Sequence, residues 1–133
     1  MTYTPRKIPF VGSVETNPET KPFFEAAAAG KLLVRRCTSC RKVHWYPRAL
    51  CPFGFGDCEW EQASGKGTIY TFSVMERANP PYAIGYVKLA EGPSMLTNFV
   101  DCDFKSLKIG QDVKVTFVQT EGDGPHLPFF TQA

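Results

Sequence analysis

Residues 37–58 read CTSCRKVHWYPRALCPFGFGDC and contain four of the five cysteines of this 133-residue chain. Two of them, Cys37 and Cys40, are separated by two residues, so that two thiolates can reach one ion from a tight turn. Cys51 follows after ten residues and Cys58 after six more. Zn²⁺ takes four such ligands in a tetrahedron, and a site with four protein ligands is closed and structural. We therefore expect these four cysteines to hold a structural Zn²⁺ ion that stabilises a small lobe.

The second cysteine pair is irregular. A regular pair would have a cysteine at position 54, where this chain has Gly54. Cys58 can reach the metal only if residues 53–57 form a longer loop, which Gly54 and Gly56 permit. His44, which follows the first pair, is the rival fourth ligand. Cysteines that are buried without any metal are the other alternative.

The composition excludes several classes of protein. The chain is 43% hydrophobic and 14% aromatic against 21% charged, which is unlike an intrinsically disordered protein. No apolar run approaches the ~18 residues that span a bilayer, so we predict no membrane segment. The cysteines are odd in number and residues 1–10 contain no apolar signal region, which predicts reduced thiols and a cytoplasmic location. The net charge of +2 disfavours a dedicated duplex-DNA binder, which is normally strongly basic.

The flanking segments predict a helix before the cysteines and a small barrel after them. Asn17 can cap the helix with Pro18 in its first position, and Gly30 can end it. From residue 65 onward apolar and polar residues alternate with a period of two, which is typical of strands. Five strands in about 65 residues favour an OB-fold barrel over a small sandwich or an SH3-like barrel. The predicted strands are 70–74, 85–89, 100–104, 113–117 and 127–131.

These signals predict a mainly β chain of the α+β class in three parts. An N-terminal arm and helix occupy residues 1–30, a zinc ribbon residues 31–64, and a five-stranded OB-fold barrel with a C-terminal tail residues 65–133. The arm (1–18) and the tail (121–133) are too short to fold alone. We therefore expect both of them to lie on another subunit.

A basic run surrounds the first cysteine pair. Six basic residues and no acidic ones lie between residues 31 and 48. Guanidinium groups match phosphate oxygens in geometry, so the run predicts a phosphate-binding surface. Nucleic acid and a phosphorylated cofactor such as coenzyme A would both satisfy it, and a solvated basic face is the simpler alternative. The residues that we expect to contact phosphate are Arg35, Arg36, Lys42 and Arg48.

The remaining residues offer little for catalysis, and we expect no catalytic residue in this chain. Two histidines support little acid–base chemistry, and the sequence has neither a glycine-rich phosphate loop nor a nucleophile elbow. Asp101 and Asp103 are interpreted as a solvated edge, and Cys102 between them is expected to face the core. A nucleophilic Cys102 would need a nearby base that the sequence does not show.

Several short motifs occur in a specific order along most of the chain. They are Pro22-Phe23-Phe24-Glu25, Gly30-Lys31-Leu32, Arg36-Cys37-x-x-Cys40, Pro47-Arg48, Cys51-Pro52, Glu59-Trp60, Gly65-x-Gly67-Thr68-Ile69-Tyr70-Thr71-Phe72 and Pro125-His126-Leu127-Pro128-Phe129. In this order the chain resembles the family of domain of unknown function thirty-five, a rubredoxin-like zinc ribbon joined to an OB-fold. The family's usual second pair reads Cys-Pro-x-Cys, whereas this chain has Cys51-Pro52-Phe53-Gly54. Cys58 would then have to take over as the fourth ligand.

The resemblance implies an accessory subunit rather than an enzyme. Members of the family associate with thiolases, acyltransferases and thiolase-like retro-aldolases. We therefore expect a hetero-oligomer in which a thiolase-like subunit supplies the nucleophile, acid and base. The implied role is to stabilise that partner and to help bind a CoA ester. Two alternatives stay open: a single-stranded nucleic-acid-binding protein, since OB barrels with exposed aromatic and basic residues suit that task, and a free-standing enzyme acting through Cys102.

Overall fold

The structure, a computed structural model, describes residues 5–9 and 17–133. Its one α-helix in these ranges is α1, Lys21–Ala28. The helix begins later than predicted, because the side chain of Asn17 accepts the N–H of Glu19 at 3.0 Å and closes a separate turn. As predicted, Gly30 ends the helix: it follows the C-cap with a φ of 80°, a conformation that suits glycine. No helix in the described part of the chain is long and apolar enough to cross a membrane.

The cysteine segment folds into a three-stranded antiparallel sheet. Strand β1 (Leu33–Cys37) lies in the centre, between β2 (Val43–His44) and β3 (Cys58–Gln62). The register places Arg35 opposite His44 and Cys37 opposite Cys58. Two loops therefore converge at one end of the sheet, the first between β1 and β2 and the second just before β3.

The C-terminal half is a closed barrel of five strands in the order β4-β5-β6-β8-β7. All neighbours are antiparallel except β6 and β8, which run parallel and pair at Phe99 and Phe130. This is the strand order of an OB-fold, so the predicted fold class is confirmed. The three-part division of the chain stays a prediction. The barrel strands are β4 (Lys66–Met75), β5 (Tyr82–Leu89), β6 (Ser94–Phe99), β7 (Asp112–Gln119) and β8 (His126–Gln132).

One strand was predicted in the wrong place. The third barrel strand is Ser94–Phe99, and not residues 100–104. The chain leaves the extended conformation at Asp101, whose φ is 55°, and then makes a 3-10 turn over Phe104–Ser106. Residues 100–104 alternate between buried and exposed side chains without being a strand, because Cys102 and Phe104 still fill the core after the strand has ended. Their burial therefore reflects a loop that folds over the barrel.

The core joins the helix to both sheets. The barrel interior contains fully buried Ile69, Val87, Phe99 and Phe130. Helix α1 packs on β1 and β8, and its buried Phe23 belongs to the same apolar cluster. The cysteine sheet and the barrel are therefore connected through one continuous core.

The arm and the tail do not match the expectation that they lie on another subunit. The arm residues 5–9 lie on this chain's own barrel, where the guanidinium of Arg6 sits 3.9 Å from the ring centre of Tyr82. The tail supplies β8, whose pairing with β7 closes the barrel. Both segments thus contact this chain's own barrel, and residues 1–4 and 10–16 of the arm lie outside the described residues.

Candidate functional site

Three cysteine sulfur atoms are gathered where the two loops converge. The Sγ atoms of Cys37, Cys40 and Cys51 all lie within 4.8 Å of one another, and those of Cys40 and Cys51 are 3.7 Å apart. Cys37 and Cys51 are buried, whereas Cys40 is exposed. Several thiolates converging on one point are the donor set that Zn²⁺ prefers. These three residues therefore fit a structural zinc ion.

The backbone of each loop supports the thiolate form of its first cysteine. The N–H of Cys40 donates to the sulfur of Cys37, and the N–H of Phe53 donates to the sulfur of Cys51, each at 3.4 Å. Mainly because of the bond from Cys40, the pKa of Cys37 is lowered to about 7. A thiol with this pKa loses its proton readily at neutral pH, as a metal ligand must.

The two residues considered for the fourth ligand lie outside this group of three sulfurs. Cys58 is partly buried and pairs with Cys37 in the sheet, and its thiol makes a long contact of 3.8 Å to the carbonyl of Gly56. Burial raises the pKa of Cys58. His44 is buried on β2, and neither of its ring nitrogens has a hydrogen-bond partner among the described residues. The role of Cys58 in metal binding stays a prediction.

Two of the four expected phosphate ligands are engaged in holding the sheet together. The guanidinium of Arg36 makes two hydrogen bonds with Glu61, of 3.0 and 2.9 Å. The guanidinium of Arg35 lies 4.4 Å from the ring centre of Trp60 and donates to the carbonyl of Arg48. Both guanidinium groups therefore already have partners within the cysteine segment and help to hold it together.

The other two basic residues line an open groove of about 780 Å³ between the cysteine sheet and the turn that joins β5 to β6. We call this cavity the basic groove. The ammonium of Lys42 lies 4.8 Å from the ring centre of Phe53, and the exposed Arg48 lies nearby on the same wall. Arg41, which was not among the expected phosphate ligands, lines the groove as well. Other lining residues are Arg36, His44, Trp45 and Tyr46, with Glu91 and Ser94 on the barrel side.

Cys102 occupies the place that the sequence predicted. It is 8% exposed and belongs to the apolar core. Burial raises its pKa to about 11, with smaller contributions from Asp101 and Asp103. The thiol is therefore protonated at neutral pH, which disfavours a nucleophilic role. Both aspartates are exposed, and Asp103 caps the 3-10 turn by accepting the N–H of Lys105 at 3.0 Å.

Two groups of exposed apolar side chains stand out. The first lies between residues 46 and 55 of the cysteine segment, and we call it the loop patch: Tyr46, Leu50, Phe53 and Phe55 are 52%, 49%, 61% and 76% exposed. The second lies on the barrel, where Tyr70, Tyr86 and Leu96 are exposed on adjacent strands. The spacing of residues does not reveal the loop patch, because it cannot show which side chains of a loop face the solvent.

The comparisons with known proteins agree with this architecture. Two family models match the chain: the ChsH2 rubredoxin-like zinc ribbon domain at residues 24–61 and the ChsH2 C-terminal OB-fold domain at residues 60–118. A DUF35 domain-containing scaffold protein of Methanocaldococcus jannaschii is 34% identical over 97 residues, which are 67% of this chain and 69% of that protein. The chain belongs to the DUF35 family. The predicted resemblance is thereby confirmed.

Other relatives extend the comparison of this DUF35 chain. A DUF35 domain-containing scaffold protein of Methanothermobacter thermautotrophicus is 32% identical, over 67% of this chain and 73% of that protein. A probable enoyl-CoA hydratase alpha subunit of Thermomonospora curvata is 28% identical over 88% of this chain. This chain spans 38% of the length of that relative.

Two solved structures share the fold of this DUF35 protein. The Ltp2-ChsH2(DUF35) aldolase contains a chain that is 27% identical, with a TM-score of 0.74 over 87% of this chain and 95% of that chain. A DUF35 family protein of Sulfolobus solfataricus is 13% identical, with a TM-score of 0.65 over 90% of this chain and 89% of that chain. The zinc ribbon followed by an OB-fold is thus the family architecture, and the three gathered cysteines occupy its ribbon.

Proposed function

We propose that this DUF35 chain is a non-catalytic accessory subunit of a thiolase-type acyl-CoA enzyme and is active only in complex with its catalytic partner. The observation that carries the proposal is the likeness to the DUF35 chain of the Ltp2-ChsH2 aldolase, 95% of which this chain covers. The relatives named scaffold proteins support the same role. The free cysteines favour a cytoplasmic location, where thiols stay reduced.

The loop patch is the surface on which we place the partner. It presents four large apolar side chains from one short segment, Tyr46, Leu50, Phe53 and Phe55. Aromatic residues are enriched at protein interfaces because they bury a large area at a low cost in side-chain entropy. The same segment is bordered by the basic groove, so a partner seated on the patch would also cover one wall of that groove.

The basic groove is the part of the chain that would contact the CoA ester. Coenzyme A combines an adenine ring with several phosphates, and the groove combines aromatic rings with Arg41, Lys42 and Arg48. Hydrogen bonds from charged donors to phosphate oxygens are stronger than those between neutral groups. Arg36 lines the groove too, but its guanidinium is held by Glu61. We therefore assign the phosphate contacts to Lys42, Arg48 and Arg41, and give Arg35 and Arg36 a supporting role.

The first experiment identifies the partner. The tagged chain is purified from its native host under nuclease treatment, and the proteins that stay bound are identified by mass spectrometry. We expect a thiolase-type protein in a roughly equal amount. The activity of that protein on its CoA ester is then measured with and without the DUF35 chain, and we expect it to fall when the chain is removed. Undiminished activity, or recovery of ribosomal proteins alone, would overturn the proposal.

The second experiment tests the basic groove in the purified complex. The double variant Lys42→Ala/Arg48→Ala is expected to weaken CoA binding by about tenfold or more, since one charged hydrogen bond is worth ~1.5–3 kcal/mol. The matched control, Lys105→Ala/Lys108→Ala, removes the same charge from residues outside the groove lining. Calorimetric titration with CoA compares the two variants. Equal CoA affinities of the two double variants would contradict a role of the groove in CoA binding. They would not bear on the accessory role itself.

A second candidate function is single-stranded nucleic-acid binding. The observation in its favour is the pair of exposed tyrosines on neighbouring barrel strands, Tyr70 and Tyr86, since bases stack on such rings. Oligonucleotide binding that weakens steeply with salt and is lost in Tyr86→Ala would support this function. No detectable binding at low salt would eliminate it.

A further inference from the structure

The two cysteine loops repeat the same backbone structure. In the first loop, the N–H of Cys37 donates to the carbonyl of Lys42, five residues further on, at 2.9 Å. In the second loop, the N–H of Cys51 donates to the carbonyl of Gly56, again five residues further on, at 2.9 Å. The two loops therefore have the same hydrogen-bonded backbone, and Cys37 and Cys51 occupy equivalent positions in them.

A second pair of hydrogen bonds fixes the equivalence residue by residue. The fourth residue after each cysteine, Arg41 or Phe55, donates its N–H back to the carbonyl of that cysteine, at 3.0 and 2.8 Å. Both residues have a positive φ, 63° and 61°. The residue just before each of them must then occupy the same place in its loop. Cys40 therefore corresponds to Gly54.

Gly54 is a ligand position without a ligand atom. A β carbon built on Gly54 would meet nothing within 4 Å, so no neighbouring side chain fills the position. The first loop contributes two sulfur atoms to the group of three, and the second contributes one. Structural zinc sites are almost always four-coordinate, so the gathered set lacks one donor.

Cys58 is the remaining thiol beside this cluster. It lies directly opposite Cys37 in the β1–β3 pair, so both side chains leave the sheet on the same face, with β carbons about 4.5–5.5 Å apart. The chain before it passes close to the cluster, since a β carbon on Gly56 would come within 3.1 Å of the Cys37 sulfur. The contact between its thiol and the carbonyl of Gly56, at 3.8 Å, is long. Rotation about its Cα–Cβ bond redirects the thiol at little cost.

We propose that Cys58 supplies the fourth metal ligand from strand β3, in place of the vacant position at Gly54. The site then takes two sulfurs from the first loop, one from the second loop and one from the sheet. This inference concerns the ribbon itself and stands independently of the proposed function.

The test measures metal binding by the purified full-length chain under reducing conditions. Zinc affinity is determined by competition with a chelator, and Co²⁺ is used as a probe because its thiolate charge-transfer absorption grows with the number of bound thiolates. We expect Cys58→Ser to weaken zinc binding by about tenfold or more, as even loss of a supporting hydrogen bond to a ligand costs ~10–100-fold. We expect the Co²⁺ charge-transfer band to fall by about a quarter, one thiolate of four. Cys102→Ser, a core cysteine away from the cluster, is the control that should change neither quantity.

Two further variants keep the proposal testable if Cys58→Ser folds poorly. Gly54→Cys in the Cys58→Ser background should restore both the affinity and the Co²⁺ band, because it refills the vacant loop position. Gly54→Cys alone should leave the band unchanged, because four thiolates already saturate the ion. An increase of the band in Gly54→Cys alone, or unchanged binding in Cys58→Ser, would overturn the proposal in favour of a three-thiolate site. Absence of zinc and Co²⁺ binding by the unmodified chain would overturn it as well.

Discussion

Arg36 on β1 and Glu61 on β3 are joined by two hydrogen bonds, of 3.0 and 2.9 Å, that run from the guanidinium to both carboxylate oxygens. A third bond, of 2.7 Å, runs from the same guanidinium to the carbonyl of Arg41 in the first cysteine loop. This fork geometry fixes orientation as well as distance. The pair therefore holds the outer strand and the metal-binding loop to the central strand of the ribbon.

We expect Glu61→Gln to lower the free energy of unfolding by about 0.5–1 kcal/mol at neutral pH, since the pair is partly exposed. The hydrogen bonds from Arg36 hold the pKa of Glu61 below its ordinary value of 4.5. A lowered carboxyl pKa stabilises the folded state above the unfolded pKa, and this stabilisation is lost as the pH falls through the folded pKa.

Urea unfolding of both proteins, near neutral pH and below about pH 4, tests this expectation. The difference in unfolding free energy between wild type and Glu61→Gln should disappear at the acid pH. Zinc release at this pH affects both proteins alike. Glu59→Gln is the matched control, because its ion pair with Arg41 is long and exposed at both ends. A difference that stays constant across the pH range would contradict the assignment.

The barrel has no room for a side chain at Gly85. A β carbon there would overlap the carbonyl oxygen of Thr71 and come within 2.8 Å of the Cα of Phe72, both on the neighbouring strand β4. Backbone cannot move aside without disturbing the β4–β5 pairing, so we expect Gly85→Ala to cost about 1–3 kcal/mol. The control is Gly54→Ala, where a β carbon meets nothing within 4 Å, and it should stay within about 0.5 kcal/mol. Thermal unfolding of both variants tests this prediction. Equal unfolding midpoints for Gly85→Ala and Gly54→Ala would contradict it.

The sequence predicts the barrel well wherever an alternating segment is bounded by turn residues on both sides. It fails at the third strand because residues 94–99 do not alternate in sequence: Leu96 is exposed and Thr97 is buried. Residues 100–104 do alternate, so periodicity favours the wrong segment. The choice depends on the backbone at Asp101, whose positive φ ends the strand, and on the pairing of Phe99 with Phe130. Neither is a property of the local pattern.

The candidate site is predictable in the same uneven way. The spacing of the cysteines is sufficient to place Cys37, Cys40 and Cys51 together, because the loops that carry them are local structures. The bonding of Arg36, by contrast, depends on a residue that is distant in the sequence. Its partner Glu61 lies 25 residues further along the chain, so only the β1–β3 register reveals that this guanidinium is already bonded.

His44 should make the protein sensitive to mild acid. It is 7% exposed, and its pKa is lowered from 6.5 by burial and by the charges of Arg35 and Arg48, although the backbone of Arg48 opposes the shift. The folded state therefore keeps the ring neutral while the unfolded chain takes up a proton. Stability is full above the unfolded pKa of about 6.5 and falls as the pH drops from there towards the lowered pKa.

The comparison for this prediction is His44→Leu, which removes the titrating ring and fills part of its volume. Unfolding is followed between about pH 7.5 and 5.5, with bound zinc measured at each pH so that only metal-loaded protein is compared. We expect the variant to show the flatter profile. Profiles of equal slope would show that His44 is not responsible for the acid sensitivity.

Phe55 connects stability to partner binding. Its φ of 61° is a conformation that glycine adopts freely and that costs other residues roughly 1–2 kcal/mol, yet the side chain is 76% exposed and gains little from packing. We therefore expect Phe55→Gly to raise the free energy of unfolding by about 1 kcal/mol. Because Phe55 belongs to the loop patch, we expect the same change to weaken the complex with the catalytic partner.

The two effects of Phe55→Gly have opposite signs, and this separates a role in folding from a role in assembly. Stability is measured by urea unfolding of the isolated chain, and partner affinity by calorimetric titration with the partner identified by co-purification. Arg41→Gly is the control for the stability measurement alone, because Arg41 has the same backbone conformation in the equivalent loop. A destabilised Phe55→Gly would show that the side chain is needed for folding. A more stable variant that binds the partner as tightly as wild type would place the interface elsewhere, and the exposed barrel row of Tyr70, Tyr86 and Leu96 would be the next surface to mutate.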